Sequence, residues 1–134
     1  MLRLEVVAIS IVRLGSARGN DEGLRLGTVR RPPRGVPKRE FAKRDFYDVW
    51  LPTLSPSPEL VAFALASHDE RSWKQFVRKF RAEMKRADAS HLLDLLAAFS
   101  HKTNLAVGCY CEDEAHCHRS VLRTLLEERG AKLA

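Results

Sequence analysis

The chain has 134 residues, 45% of them hydrophobic, and its 23 lysines and arginines against 17 acidic residues give a formal charge of +6. That length suits a single α/β-sized domain spanning residues 1–134 with a real core. No apolar run is long enough for a membrane span; the longest, "ELVAFALASH", fits an ordinary buried helix. Three cysteines, an odd number placed close together, argue against a disulfide scaffold and for reduced thiols in the cytoplasm.

"LRLEVVAISIV" is rich in β-branched residues and predicts a first strand. Arg3, Glu5 and Arg13 interrupt its apolar run, so it lacks the clean core of a secretory signal. "GSARGNDEG" is a turn-rich loop, and "LRLGTVR" a second strand that Gly27 weakens. "PPRGVP" then forces a loop, and "FYDVWLPTLSPSP" reads as a partly buried connector packing Phe46, Trp50 and Leu54. Ser57 before Pro58 predicts a helix start, with the helix running to about Ala66. Ser67 and Glu70 have the spacing of a capping box for the next helix. In that helix Trp73, Phe76, Val77, Phe80 and Met84 form one apolar stripe. "ADASHLLDLLAAFS" is a further amphipathic helix. "NLAVGCYC" suits a buried strand ending near Cys111, and "CHRSVLRTLLEERG" a last helix stopped by Gly130. The best solution to this order is a small three-layer α/β domain with a mainly parallel, Rossmann-like sheet.

"GCYCEDEAHCHRS" holds all three cysteines together with His116, His118 and Arg119. In a parallel sheet it falls beyond a strand's carboxyl end, where ligands collect. Zinc is one reading, but Cys111 and Cys117 enclose five residues, wider than compact zinc knuckles, and His116, Cys117 and His118 are consecutive. His68, His91 and His101 could complete a set but carry no positive signal, so no metal ligands are assigned and the cofactor is left open. A Cys111–Cys117 redox couple is a second reading; Cys109 reads as core. A third places Cys117 at a helix start, where free N–H groups and positive neighbours favour a thiolate. The same turn suits a phosphate or carboxylate gripped by Arg119.

"RLGTVRRPPRGVPKREFAKR" concentrates the basic excess, and its prolines stiffen a loop bearing Arg34 and Lys38. Such a patch attracts phosphate, nucleotide or nucleic acid. Nucleic acid has no support beyond the charge, since no recognition helix, arginine-rich tail or aromatic ladder accompanies it.

Several passages in order resemble the YeaO-like branch of the DUF488 family (domain of unknown function 488). "DEGLRLGTVRRPPRGVPK" resembles its acidic-glycine turn, strand and proline–arginine–glycine loop. "DVWLPTLSPSPELVAF" is similar to its tryptophan connector and helix start, here Leu54, Ser55, Pro56 and Ser57. "WKQFVRKFRAEMK" resembles its aromatic helix with Glu83, and "LAVGCYCEDEAHCHRSVL" its last strand, loop and helix. The resemblance covers about residues 20 to 129 and implies one cytosolic α/β domain, without implying a substrate or reaction.

The leading expectation is therefore a small anionic-ligand (phosphate or nucleotide) protein or enzyme. Cys117 is its candidate nucleophile and His118 its proton carrier, with Arg34, Lys38, Arg119 and Cys111 binding the ligand. The alternatives are a nucleic-acid or phosphate binding module without catalysis, and a thiol redox or zinc-binding protein.

Overall fold

The computed structural model describes residues 7–66 and 68–134. Four strands, β1 (Ile9–Arg13), β2 (Leu24–Gly27), β3 (Val49–Trp50) and β4 (Leu105–Cys109), form one sheet in the order β1-β4-β2-β3. Every pairing in it is parallel. The helices are α1 (Pro58–Ala66), α2 (Glu70–Glu83), α3 (Ala87–Phe99) and α4 (His118–Glu128). The α/β class and parallel sheet expected from the sequence are those observed. None of the described helices is long and apolar enough to cross a membrane.

The central strand β4 is buried along its whole length, which is why "LAVGC" is a continuous apolar run rather than an alternating one. Leu105 and Val107 join Ile9 and Leu26 on one face. There they meet Phe76, Phe80 and Met84 of the α2 end, Leu93 and Leu96 of α3, and Leu122 and Leu126 of α4. Phe76, Phe80 and Met84 of the apolar stripe read from the sequence are thus core, with Trp73 and Val77 half-buried against it. On the other face the strands carry Arg25, Gly27, Ala106 and Gly108, by the alternation of side chains along a strand. Connecting segments cover this face. A β-carbon on Gly27 would lie 2.4 Å from the Tyr47 ring, so the glycine that weakens a strand by propensity here makes room for an aromatic.

Residues 14–23 join β1 to β2 across β4 without a helix. A crossover of this kind leaves backbone carbonyls that no ladder satisfies. Arg25, fully buried, supplies donors to the crossover carbonyls of Ser16 (Nη1, 2.8 Å) and Ala17 (Nη2, 3.2 Å), and its Nη1 also donates to the carbonyl of Asp45 (2.5 Å) in the segment before β3. Glu22 neutralises it through Nε at 2.6 Å and Nη2 at 3.1 Å. Gly23 ends the crossover at φ 81°, with a β-carbon position only 2.0 Å from the Asn104 carbonyl oxygen.

Several expected boundaries move. Of the first strand, Ile9–Arg13 is described, and residues 1–6 lie outside the described residues. Ser57 caps α1 as expected, its hydroxyl accepting the Leu60 N–H, and Glu83 takes the Ser57 N–H at 2.9 Å. The capping box at Ser67 involves a residue outside the described ones; the cap seen on α2 is Asp69, which accepts the Ser72 N–H at 2.7 Å. The connector contains the two-residue edge strand β3, and its Trp50 stays 43% exposed while its ring N–H bonds the Val29 carbonyl. β4 ends at Cys109 rather than near Cys111. Its neighbours stop with it: β1 ends at Arg13, opposite Cys109, and β2 at Gly27, opposite Gly108.

Candidate functional site

Three elements meet at one rim of the sheet. β4 delivers Cys109, the residue after β2 is Thr28, and α4 begins at His118. Between β4 and α4, Asp113 accepts the Ala115 N–H and starts a short 3-10 turn over Glu114–His116. That turn sends His116 outward, where it pairs with Asp113 at 2.8 Å and sits edge-on to Trp73. Cys117 follows in extended backbone (φ −119°, ψ 149°) as the N-cap of α4, and it and His118 point inward. Three consecutive residues thus need not aim at one point, because a helix begins between them.

The inward side chains converge. Cys109 Sγ, Cys117 Sγ and a His118 ring nitrogen lie within 4.8 Å of one another, all three residues buried. Cys117 Sγ faces His118 Nδ1 at 3.8 Å. The other ring nitrogen, Nε2, donates to the Thr28 carbonyl at 2.6 Å, and Phe80 packs edge-on to the ring. A carbonyl only accepts, so the proton sits on Nε2 and the Nδ1 lone pair turns toward the thiols. Cys111, exposed, brings a third sulfur 3.7 Å from Cys109. All three cysteines are free.

Burial lowers the His118 pKa to about 4, despite the Thr28 carbonyl, so the ring is neutral near pH 7. The sulfurs divide their protons unequally. The Cys109 thiol donates to Cys111, which raises its own pKa and draws Cys111 toward thiolate. For Cys117 the favourable bond from Cys109 is outweighed by neighbouring Cys111 and by burial, and its pKa is raised. Arg119 is 3% exposed; its Nη2 donates to the Cys111 carbonyl at 2.7 Å while its Nε has no partner. A guanidinium buried this way holds positive charge against the sulfur cluster.

The cluster forms one end of an open pocket of ≈ 550 Å³. Its other walls are apolar, with Val61 and Ala64 of α1 and Trp73 and Phe76 of α2, the last two rings stacked at 5.2 Å. Arg30 and Arg31 line it as well. Of the residues singled out from the sequence, Cys111, Cys117 and His118 meet here, with Arg119 behind them. Arg34 and Lys38 are exposed and are not among the lining residues. Sequence reasoning missed Cys109 as a site residue, and also Thr28, Trp73 and the two arginines of the rim. Cys109 did carry a signal, since a strand-end cysteine facing a helix-start cysteine is a plausible pair once the strand is taken to end there.

Fold and site together define a class: a small parallel α/β protein with a thiol–imidazole cluster at the carboxyl edge of its central strand. The chain belongs to the DUF488 family, for the family model DUF488-N3a, described as the active DUF488-N3 subclade, matches residues 9–130. No curated protein and no solved structure matches it.

Proposed function

We propose that Cys109, Cys117 and His118 hold a transition metal of the zinc class, with Cys111 as an exchangeable fourth ligand on the pocket side. The observation that carries this reading is the convergence of two buried sulfurs and an imidazole within 4.8 Å, the far side of that imidazole being bonded to a carbonyl. Metal-ligating histidines almost always donate their second N–H to such an acceptor, which fixes the tautomer. Tetrahedral zinc with sulfur at about 2.3 Å separates two sulfurs by about 3.8 Å. Cys109 and Cys111 stand 3.7 Å apart, and Cys117 Sγ and His118 Nδ1 stand 3.8 Å apart. Soft sulfur with imidazole suits zinc and disfavours magnesium or calcium.

Charge favours an exchangeable fourth position. Two thiolates neutralise a divalent ion, so the three-ligand centre can accept an anion or water. A bound water or oxygen there would be polarised by the metal, the chemistry of an open rather than a purely structural site. A nucleophilic Cys117 fits the geometry less well, since its thiol is buried with a raised pKa and its histidine neighbour is neutral. A reducing compartment such as the cytoplasm suits three free thiols. The 3.7 Å Cys109–Cys111 contact supports a second reading, a thiol pair that is oxidised reversibly.

Metal analysis of protein purified under reducing conditions and reconstituted with zinc separates the two. One zinc per chain is expected, lost in Cys109→Ala and Cys117→Ala and kept in Cys111→Ser. Substoichiometric zinc with all thiols freely titratable contradicts the metal centre. Loss of two thiols after mild hydroperoxide treatment, in that metal-free protein, favours the redox pair.

A further inference from the structure

The pocket over the metal-class cluster has walls of two kinds, and together they define a ligand. One wall is aromatic and aliphatic: Trp73, stacked on Phe76 at 5.2 Å, with Val61 across from it on α1. The rim is cationic. Arg30 is held in place by backbone alone, its Nε donating to the Pro56 carbonyl at 3.1 Å and its Nη2 to the Ser55 carbonyl at 3.3 Å. Its charge therefore stays uncompensated by any carboxylate. Arg31 lies beside it, exposed, its carbonyl accepting the Tyr110 hydroxyl. Neither arginine forms an ion pair among the described residues, although nine such pairs are formed elsewhere.

The carboxylates on the lining are already engaged. Asp69 caps α2 through the Ser72 N–H, and Asp113 accepts from Ala115 and pairs with His116. Arg30 and Arg31 are thus charged side chains of the lining with neither a carboxylate partner nor a helix terminus to compensate them, and the greater part of the lining is apolar. A purely hydrophobic ligand would leave the arginines without partners, and inorganic phosphate would leave the ring wall wet.

We propose that this pocket binds an aromatic phosphate monoester, a phosphate joined to an aromatic ring directly or through a sugar, with the ring against Trp73 and the phosphate at Arg30 and Arg31. The inference rests on the metal-centre reading and deepens it by naming the class of ligand presented to that centre. Ring stacking and a charge-assisted guanidinium–phosphate contact are separate contributions. Each half of the molecule therefore binds alone, and the joined halves bind more tightly.

Calorimetric titration of zinc-loaded protein with 1-naphthyl phosphate, 1-naphthol and inorganic phosphate tests this. The naphthyl phosphate is expected to bind at least about tenfold more tightly than either half, the worth of one charge-assisted hydrogen bond. Arg31→Met, a change at an exposed site, is expected to weaken naphthyl phosphate toward the affinity of naphthol, Arg30 holding the remainder, while leaving naphthol unchanged. Trp73→Leu should weaken both aromatic probes and leave phosphate as it was. Adenosine monophosphate forms a further arm: affinity within about tenfold of naphthyl phosphate assigns nucleotides as the source of the ring, and weaker binding assigns simple aryl phosphates. Equal affinity for naphthol and naphthyl phosphate overturns the proposal, as does no binding of either. Zinc content is measured on the same sample, so a zinc-loaded protein that ignores aromatic phosphates refutes this inference alone. A protein that takes up no zinc refutes the centre beneath it.

Discussion

Two buried polar clusters sit on the same small sheet and are built in opposite ways. Around Arg25, the guanidinium donates to a carboxylate and three carbonyls, and its backbone N–H goes to Asp48 at 2.8 Å. Around Cys117 a donor is left over, since Arg119 Nε has no partner, and the Nδ1 lone pair of His118 meets only the weakly donating Cys117 thiol. A buried polar group without a partner costs about 1–3 kcal/mol. The Arg25 cluster removes that cost within the fold, which is what a structural element requires. The thiol cluster retains it, which is what a site for something bound requires.

Substitution should separate the two. Arg25→Met strands the buried Glu22 carboxylate and several carbonyls, so urea or thermal unfolding should show a loss of about 3–5 kcal/mol. Metal uptake by whatever remains folded should be unchanged. Cys117→Ala should do the reverse. Its effect on metal-free stability should be about 1 kcal/mol, near that of removing a small buried group, while zinc affinity falls by more than about 100-fold, the upper end for losing a mere supporting partner. If Cys117→Ala unfolds the protein as severely as Arg25→Met, the contrast between the clusters fails.

Metal should also stabilise through one cluster only. At a hundredfold excess over its Kd, zinc should add about 2.7 kcal/mol to unfolding stability. A chelator should remove that gain, and Cys109→Ala should abolish it. An equal gain in Cys109→Ala would place the metal elsewhere.

The smallest effect concerns acid. Burial tends to raise the Asp48 pKa, but the Arg18 ion pair at 2.7 Å and the Arg25 N–H outweigh it, and the net shift is downward. A depressed carboxylate stabilises the fold above its unfolded pKa of about 3.9 and loses that contribution as pH falls through the folded value. Asp48→Asn should flatten this limb of the acid unfolding curve without altering the neutral limb. An unchanged acid limb would remove Asp48 from the cluster's energetics.

The two clusters were also unequally legible in the sequence. Periodicity exposed α2, the buried run of β4 and the helix at His118, because each buries a regular face. Arg25 in "LRLGTVR" reads as an ordinary polar residue of a half-exposed strand. Nothing local announces that a helix-free crossover will lie over it and need its donors. β3 is two residues long, below what any period can register. In the thiol cluster, Cys117 and His118 stood out as chemistry at a helix start, and Cys111 as a thiol on the rim. Cys109 read as core because a buried strand residue and a buried ligand have the same pattern. The Cys111–Cys117 spacing alone gives no compact metal-binding pattern. The cluster itself crosses from a strand end to a helix start, and Thr28, which bonds the imidazole, contributes a backbone carbonyl that no residue type reveals.

The central claim is that the sulfurs and the imidazole form one metal centre, and X-ray absorption at the zinc edge of the reconstituted protein tests it most directly. Expected is a first shell with sulfur at about 2.3 Å and one nitrogen at about 2.0–2.1 Å, with no bound zinc to give that signal in Cys109→Ala and Cys117→Ala. A first shell of oxygen and nitrogen alone would contradict it.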